Sequence, residues 1–376
     1  MEVDRRKDVK DFDDSKVGVK GLLDSSGTTL TTIPLIFVHP PDQRFSDLKP
    51  TSAGEIPVID FSGLVNNSDH QRRPEIVNQI REAASTWGFF QVINHGIPRD
   101  VINRIISAVR SFHEQPMDIK KMFYGRGQSV CFLSNSDLYQ SKAASWRDTL
   151  KVVLGPEPPK MEKIPEVCRD EVIMWAHHEI VVGEMLMELM SEGLGVGPGR
   201  LKEMGCLESR IMLGQYYPYC PQPDLTVGIV PHTDQSIVTL LVQDQVGGLQ
   251  VKHGEEWVNV KPIEGAITVN VGDFLQVISN DKYKSGEHRV LANGSLNSRV
   301  SIPFFFHPAA SNNTELDTTD YYGPLPELLS PNNPPLYRNF TLSEFWRQAR
   351  SKELCMKNLM DGFKIVRGHQ DQRKSV

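Results

Sequence analysis

Residues 237–278 read IVTLLVQDQVGGLQVKHGEEWVNVKPIEGAITVNVGDFLQVI, and this stretch indicates the type of fold. Short runs rich in valine, isoleucine and leucine follow one another there, with glycine and acidic residues between them. The runs are Ile237–Gln243, Gly248–Val251, Trp257–Val260, Ala266–Val271 and Phe274–Ile278. Many short strands separated by regular turns are typical of a barrel or a double-sheet jelly roll. We therefore predict that each run is a strand of one all-β unit.

The β-type pattern continues on both sides of this stretch. It begins with Met212–Tyr217 and resumes at His288–Leu291 and Arg299–Phe306. After the β region, residues Thr341–Lys364 have the pattern of a closing helix.

The part of the chain before residue 210 has a different character. Apolar residues recur there with helical spacing, and two apolar runs have the pattern of short strands. The predicted helices are Glu75–Trp87, Pro98–Phe112 and Asp170–Glu192, and the predicted strands are Ile56–Phe61 and Gly88–Ile93. We therefore predict a mixed α+β chain. Its parts are an N-terminal arm, partly ordered, over residues 1–55, a mainly helical domain over 56–209, a jelly-roll core over 210–310 and a C-terminal segment with a helix over 311–376.

The composition limits the possible functions. The 376 residues are 39% hydrophobic, enough for a sizeable core, and the net charge of −6 argues against a generally basic nucleic-acid-binding surface. No stretch approaches the roughly 20 apolar residues of a membrane span, and the N-terminus shows no secretory signal. The five cysteines are scattered, which is typical of thiols in a reducing compartment. We expect a cytoplasmic protein that acts on a small molecule, and the sequence predicts no particular oligomeric state.

A metal site is indicated by Pro231-His232-Thr233-Asp234. Residues i and i+2 of a strand share a face, so His232 and Asp234 can bind one ion together. His288 opens a later β-run and is the best candidate for the third ligand. Two imidazoles and one carboxylate on one face of an ion leave positions for a chelating co-substrate and O₂, as in non-haem Fe(II) oxygenases. The alternative is that these are hydrogen-bonded structural residues.

A second pair of candidates follows eleven residues after His288. Arg299 and Ser301 are again i and i+2 on one strand face. The turn-forming residues Ala292–Ser295 predict a hairpin that places Arg299 in the same cavity as His288. A planar guanidinium is suited to the far carboxylate of a dicarboxylate ligand, and Ser301 could donate one more hydrogen bond. The alternative is that Arg299 makes a surface ion pair.

These residues, in this order, resemble the plant 2-oxoglutarate/Fe(II)-dependent dioxygenases over roughly residues 56–346. Further matching segments are WGFFQVINHG at Trp87–Gly96, YYPYCPQP at Tyr216–Pro223 and GGLQV at Gly247–Val251. Two more segments, Gly18–Leu22 and Trp146–Leu150, resemble the branch of aminocyclopropane-carboxylate oxidase homologues. The fold that this resemblance implies is a distorted double-stranded β-helix, a member of the jelly-roll class.

The resemblance also implies roles for individual residues. His232, Asp234 and His288 would hold Fe(II). The distal carboxylate of 2-oxoglutarate would be bound by Arg299 and Ser301. Tyr217 would add a hydroxyl to that co-substrate.

The implied substrate pocket includes Phe305 and Gln215. Phe305 has the same strand parity as Arg299 and Ser301, so it is predicted to face the cavity, whereas its neighbours Phe304 and Phe306 are expected in the core. Gln215 is a departure from the family, which often has asparagine at this position.

The activity that the resemblance implies is oxidation of a small specialised plant metabolite. Hydroxylation is the expected outcome, and demethylation, desaturation and ring closure are the alternatives that the sequence leaves open. Fe(II) would be the cofactor, 2-oxoglutarate and O₂ the co-substrates, ascorbate the reductant, and succinate and CO₂ the by-products. Three alternatives remain open: a catalytically silent small-ligand-binding protein, an ethylene-forming type of oxidase that uses ascorbate, and a zinc hydrolase. A hydrolase would have no clear use for Arg299 and Ser301.

Overall fold

A computed structural model of the chain describes residues 5–25, 30–41, 44, 54–64, 72–308, 321–350 and 359–365. The strands of this part are β1 (Val58–Asp60), β2 (Phe89–Ile93), β3 (Val130–Leu133), β4 (Asp148–Gly155), β5 (Ser209–Tyr217), β6 (Val227–His232), β7 (Val238–Gln243), β8 (Leu249–His253), β9 (Glu256–Asn259), β10 (Ile267–Val271), β11 (His288–Leu291), β12 (Arg299–His307), β13 (Tyr321–Tyr322) and β14 (Phe340–Thr341). The helices are α1 (Arg5–Ser15), α2 (Gly18–Ser25), α3 (Arg72–Thr86), α4 (Arg99–His113), α5 (Met117–Lys121), α6 (Arg169–Leu194), α7 (Arg200–Glu203), α8 (Asp273–Ile278) and α9 (Leu342–Arg350).

Two sheets form the centre of the molecule. The larger has the strand order β1-β2-β10-β7-β12-β5-β4-β3, and the smaller has the order β6-β11-β8-β9. Apolar side chains from both sheets form one cluster, including Tyr217 and Leu241 of the larger sheet and Leu249 and Val290 of the smaller. The predicted mixed α+β fold with a double-stranded β-helix core is confirmed.

The N-terminal half does more than pack helices on this core. Strands β1 and β2 extend one edge of the larger sheet, and β3 and β4 extend the other. The sequence pattern gave no signal for β3 or β4, because their apolar residues do not alternate: Val130, Cys131, Phe132 and Leu133 are all buried. The wall of the core therefore includes residues from before position 210.

One predicted strand is wrong. Residues Phe274–Ile278 form most of the short helix α8, in which Phe274, Leu275, Val277 and Ile278 are buried. A short apolar run that is buried all round has the same sequence pattern in a strand and in a helix. The N–H of Gln276 donates to the carbonyl of Gly272, which sets the helical turn.

The predicted hairpin between His288–Leu291 and Arg299–Phe306 is also wrong. Strand β11 pairs with β6 and β8, whereas β12 pairs with β5 and β7. Both sides of each strand are therefore occupied by other strands. Residues 292–298 cross from one sheet to the other, so His288 and Arg299 lie on opposite walls of one cavity.

Two helices, α1 and α2, lie in the segment predicted as an arm. They pack on a small core of their own that includes Phe12, Phe37 and Trp146. The buried carboxylate of Asp148 accepts hydrogen bonds from the N–H groups of Val19 and Lys20, at 2.8 Å each, at the first turn of α2. A Cβ at position 18 would lie 2.5 Å from Asp148 Oδ1, so the helix begins at a glycine. The segments Gly18–Leu22 and Trp146–Leu150, far apart in sequence, therefore meet in space.

Helix α6 contacts α3, α4 and α7, whereas α9 contacts β14. The predicted closing helix begins at Leu342 and is described to Arg350, and residues 351–358, with Cys355, lie outside the described residues. Its predicted end is wrong: Met360–Gly362 is a short 3-10 turn, and Lys364 forms a β-bridge with Tyr337. The other four cysteines are free and buried. None of the helices in the described part of the chain is both long and apolar enough to cross a membrane.

A stability prediction follows from Glu179 on α6. Its side chain is fully buried, and both carboxylate oxygens lack a hydrogen-bond partner among the described residues. Burial raises the pKa of Glu179 well above its usual range. Because the pKa of Glu179 is higher in the folded than in the unfolded state, its contribution to the free energy of unfolding is greatest below the unfolded pKa and falls as pH rises. We expect Glu179→Met to raise the free energy of unfolding by about 1–3 kcal/mol, and by more at pH 8 than at pH 5.

Urea unfolding at the two pH values measures this difference. Glu203→Met changes an exposed glutamate on α7 and is the matched control, with no expected gain. An equal change in both variants, or a gain independent of pH, would contradict the account of Glu179.

Candidate metal centre and cavity

Two histidines face each other across neighbouring strands of the smaller sheet. His288, the first residue of β11, is in register with His232, the last residue of β6, and the ring centroids are 4.1 Å apart. Asp234 follows after one intervening residue, and its Oδ1 lies 3.6 Å from His232 Nε2 and 3.7 Å from His288 Nε2. The structure thus brings the three predicted ligands together. Their ligand atoms all lie within 4.8 Å of one another.

The position of Asp234 differs from the prediction. Strand β6 ends at His232, so Asp234 does not share a strand face with it. The chain turns there, and the N–H of Asp273 donates to the carbonyl of Asp234 at 2.7 Å. This turn, and not strand alternation, directs the carboxylate towards the imidazoles.

Each ligand is oriented by a hydrogen bond on its far side. His232 Nδ1 donates to the carbonyl of Val230 at 2.8 Å, and His288 Nδ1 donates to the carbonyl of Gly286 at 3.1 Å. A carbonyl only accepts, so Nδ1 carries a proton in both rings, and Nε2 is the ring atom that faces the centre and is available to a metal.

The carboxylate of Asp234 is fixed in the same way. Its Oδ2 accepts hydrogen bonds from Thr239 Oγ1 and Asn270 Nδ2, both at 2.7 Å. Oδ1 is left to face the two Nε2 atoms. The sequence did not identify Thr239 or Asn270. The available signal was weak, because the mainly apolar strands β7 and β10 each carry two polar residues: Thr239 and Gln243 on β7, and Thr268 and Asn270 on β10.

The protonation states suit metal binding. Burial, then the neighbouring His288, lowers the pKa of His232 to about 3, so its ring is neutral at physiological pH. Burial opposes ionisation of Asp234, but the two imidazoles and the hydrogen bonds from Asn270 and Thr239 hold its pKa below the usual range. Metal ligands must be deprotonated. Two imidazoles and one carboxylate are the facial donor set of Fe(II) oxygenases, so the residues present fit this ion.

The metal ligands open into a cavity of about 390 Å³ between the two sheets. Its lining includes all eight residues that the sequence predicted for the site: His232, Asp234, His288, Tyr217, Arg299, Ser301, Phe305 and Gln215. The volume lies within the usual range for small-molecule sites.

Arg299 is buried in the wall of this cavity and is only 1% exposed. Its Nη1 donates to Ser301 Oγ at 3.1 Å and its Nη2 to Gln243 Oε1 at 2.8 Å, and the guanidinium lies 4.7 Å from the centre of the Tyr217 ring. Its Nε is buried without a hydrogen-bond partner, and within the described ranges no carboxylate forms an ion pair with it. The alternative of a surface ion pair is therefore wrong.

The neighbours of Arg299 follow from strand register. Tyr217 lies opposite Arg299, and Gln215 lies opposite Ser301, on β5. The Oε1 atom of Gln215 accepts a hydrogen bond from Thr149 Oγ1 of β4 at 2.7 Å, which fixes the amide.

The three phenylalanines of β12 divide as their parity predicts. Phe304 and Phe306 are fully buried in the core, whereas Phe305 is half-buried and lines the cavity. Cavity residues that the sequence did not identify as site residues include Arg147, Lys151 and His307.

The fold and the facial triad together define a 2-oxoglutarate- and Fe(II)-dependent oxygenase. Residues 208–308 match the model of the 2OG-Fe(II) oxygenase superfamily, and residues 56–170 match that of the N-terminal region of the non-haem dioxygenase in morphine synthesis. Two relatives from Arabidopsis thaliana, 1-aminocyclopropane-1-carboxylate oxidase homolog 5 and homolog 1, are each 46% identical to this chain. The matches cover 93% of this chain and 87% and 94% of the relatives. The chain belongs to the 2OG-Fe(II) oxygenase superfamily.

Solved structures have the same architecture. The crystal structure of JOX2 in complex with 2OG, Fe and JA is similar with a TM-score of 0.78 and 28% identity, over 93% of this chain and 98% of that one. The dioxygenase for auxin oxidation from rice has a TM-score of 0.65 at 23% identity, over 82% of this chain and 97% of that one, which shows the shared fold alone.

Proposed function

We propose that this oxygenase hydroxylates a small, largely apolar metabolite in the cytosol, with ascorbate as the reductant that maintains its iron. The observation that carries the proposal is the arrangement of the cavity. The three metal ligands lie on one wall, and a buried guanidinium with no carboxylate partner among the described residues lies on the opposite wall. A dicarboxylate bound at the metal site would supply that partner.

Fe(II) bound here supplies O₂ activation, which couples decarboxylation of 2-oxoglutarate to succinate with oxidation of a substrate C–H bond. The protein binds, orients and excludes water. His232, Asp234 and His288 would hold the ion, and their outer hydrogen bonds would keep each donor atom aimed at it.

In this proposal Arg299 and Ser301 bind the distal carboxylate of 2-oxoglutarate. The guanidinium is already positioned by Ser301 and Gln243, so little side-chain entropy is lost on binding. Tyr217 lies beside this pair in register and would add its hydroxyl. Gln215 would shape the boundary between co-substrate and substrate, since its amide is held by Thr149.

The substrate would occupy the part of the cavity lined by Phe305 and by apolar residues of both sheets. These apolar residues are Phe89, Ile211, Leu213, Ile229, Leu241, Leu249, Val290 and Pro303. A chain of net charge −6 with such a cavity is poorly suited to nucleic acid. The JOX2 complex supports a small-molecule substrate, since that structure holds 2OG, Fe and JA together.

Removal of the Phe305 ring tests the location of the substrate. We expect Phe305→Ala to weaken substrate binding by about 1–3 kcal/mol, with a smaller effect on 2-oxoglutarate binding. The reason is that Phe305 lies on the cavity wall four residues beyond Ser301. The measurement is KM for substrate and for 2-oxoglutarate in the same preparation. An equal loss for both ligands, or a loss of thermal stability alone, would place Phe305 in the core.

The proposal as a whole is tested by a metabolite screen. Purified protein with Fe(II), ascorbate and labelled 2-oxoglutarate is incubated with fractionated plant extract, and metabolite loss is compared with labelled succinate. We expect a metabolite to gain one oxygen atom in the same fractions that produce succinate. Metabolite loss without succinate would favour the ascorbate-dependent oxidase, and ligand binding without turnover would favour the silent binding protein.

A further inference from the structure

The cavity carries two basic side chains that the proposed reaction does not use. Both line it: Lys151 lies on β4, and Arg147 is the residue immediately before this strand. Arg147 belongs to the segment Trp146–Leu150, which resembles the branch of aminocyclopropane-carboxylate oxidase homologues. This segment has no role in the proposed iron and 2-oxoglutarate sites.

Strand alternation explains why these residues face the cavity. Trp146 and Asp148 point away from it: the Nε1 atom of Trp146 donates to the carbonyl of Tyr219 at 3.1 Å, and Asp148 accepts from the first turn of α2. Arg147, Thr149 and Lys151 have the opposite parity and therefore share the inner face.

The register with β5 gives the same result. Thr149 pairs with Gln215 and Lys151 with Leu213, and both partners line the cavity. The backbone that carries Arg147 is also fixed, because Ser134 Oγ donates to its carbonyl at 3.1 Å.

Neither basic side chain has an anionic partner in the part of the chain that the structure describes. Arg147 is 6% exposed, and its Nε is buried without a hydrogen-bond partner among those residues. No ion pair of Arg147 or Lys151 occurs within the described ranges, and Asp234 is the only acidic residue among those that line the cavity. A buried guanidinium without a counter-charge is costly, so an anion is expected to bind there.

The charges of the iron and 2-oxoglutarate sites do not supply this anion. Fe(II), Asp234, Arg299 and the doubly negative 2-oxoglutarate sum to zero net charge. The positive charges of Arg147 and Lys151 therefore remain without a counter-charge. In the larger sheet, β5 with Gln215 lies between β12, which carries Ser301, and β4, on or next to which the two basic residues lie.

We propose that Arg147 and Lys151 form a second anion site, which binds a carboxylate group of the primary substrate. This inference rests on the proposed function, because it assigns Arg299 to 2-oxoglutarate. It narrows the substrate class to small organic acids with an apolar body. The guanidinium fork matches a carboxylate in two hydrogen bonds, and the ammonium of Lys151 adds a point charge.

The test measures binding without turnover. Protein loaded with Fe(II) and 2-oxoglutarate under nitrogen is titrated calorimetrically with benzoate, cinnamate and cyclohexanecarboxylate, and with the methyl ester of each. The variants are Arg147→Gln, Lys151→Gln and the double change. Lys163→Gln removes the same charge from an exposed position outside the cavity and is the matched control.

We expect at least one acid to bind about tenfold or more tightly than its ester, as charged hydrogen bonds require. Arg147→Gln and Lys151→Gln should each abolish most of that preference, Arg147→Lys should restore part of it, and Lys163→Gln should leave it intact. The Kd for 2-oxoglutarate should change less than about twofold in these variants, since it uses Arg299.

Two results would overturn the inference. One is acids that bind no better than their esters to the wild-type protein. The other is a loss of 2-oxoglutarate affinity in Arg147→Gln as large as the loss of acid affinity, which would place Arg147 in the co-substrate site. Failure of the proposed function would be seen separately, as an absence of 2-oxoglutarate-dependent succinate release by the wild-type protein.

Discussion

Asp234→Ala is expected to lower turnover by more than about a hundredfold. Loss of a residue that only hydrogen-bonds to a metal ligand costs up to about a hundredfold, and loss of the ligand itself should cost more. The carboxylate supplies the one negative charge among the three ligands, and its Oδ1 lies 3.6 and 3.7 Å from the two Nε2 atoms. Without it, two imidazoles remain, a donor set that offers Fe(II) no negative charge. Anaerobic calorimetry with Fe(II) and the rate of succinate release measure both effects.

Two further variants test whether the loss of Fe(II) binding is specific to the ligand Asp234. Thr239→Val removes one hydrogen bond to Asp234 Oδ2 and is expected to weaken Fe(II) binding by less than Asp234→Ala does. Asp224→Ala changes an exposed aspartate and should have no effect. Fe(II) affinity that is unchanged in Asp234→Ala would remove Asp234 from the metal centre.

Arg299→Lys is expected to raise the Kd for 2-oxoglutarate by roughly 5- to 150-fold, which corresponds to about 1–3 kcal/mol. Lysine keeps the charge but loses the planar fork that Ser301 and Gln243 hold in position. Ser301→Ala removes a single neutral donor and should cost less, about 0.5–1.5 kcal/mol. Titration of the iron-loaded protein with 2-oxoglutarate measures each value.

The control for this series is Arg200→Lys, which changes an arginine that pairs with Glu327 far from the cavity lining. The variants must retain the thermal midpoint of the wild type for the comparison to hold. An Arg299→Lys protein that binds 2-oxoglutarate as tightly as the wild type would exclude Arg299 from the co-substrate site.

Much of the fold could be predicted because its signals are local. Each short apolar run between turn residues is a separate strand signal, and seven of the eight predicted runs are strands. Partner choice is not local, however. The turn residues at Ala292–Ser295 are compatible with a hairpin, yet β11 pairs with β6 and β8, and β12 pairs with β5 and β7.

The N-terminal helices show the same limit. Helix α1 has few apolar residues, and only Val9 and Phe12 of it are buried. It is held by the core that includes Phe37 and Trp146, which are distant in sequence. A helix stabilised mainly by such tertiary contacts gives little periodic signal of its own.

The metal ligands could be predicted because a histidine, one residue and an aspartate are constrained by one short turn. Their hydrogen-bonding partners could not, since Asn270 lies 36 residues from Asp234 and reaches it only through the pairing of β10 with β7. The sequence did not identify Arg147 for a similar reason. This residue immediately precedes β4, which had no strand signal, and only the register of β4 with β5 shows which side chains face the cavity.

The most direct measurement is succinate formation from labelled 2-oxoglutarate by the purified protein with Fe(II) and the metabolite found in the screen. The wild-type protein should form one succinate per molecule of product, and both should disappear without 2-oxoglutarate or in Asp234→Ala. Product formed at an undiminished rate with ascorbate and no 2-oxoglutarate would contradict the assignment of Arg299 and Ser301. So would an iron-loaded, folded wild-type protein that forms no succinate with any metabolite that it binds.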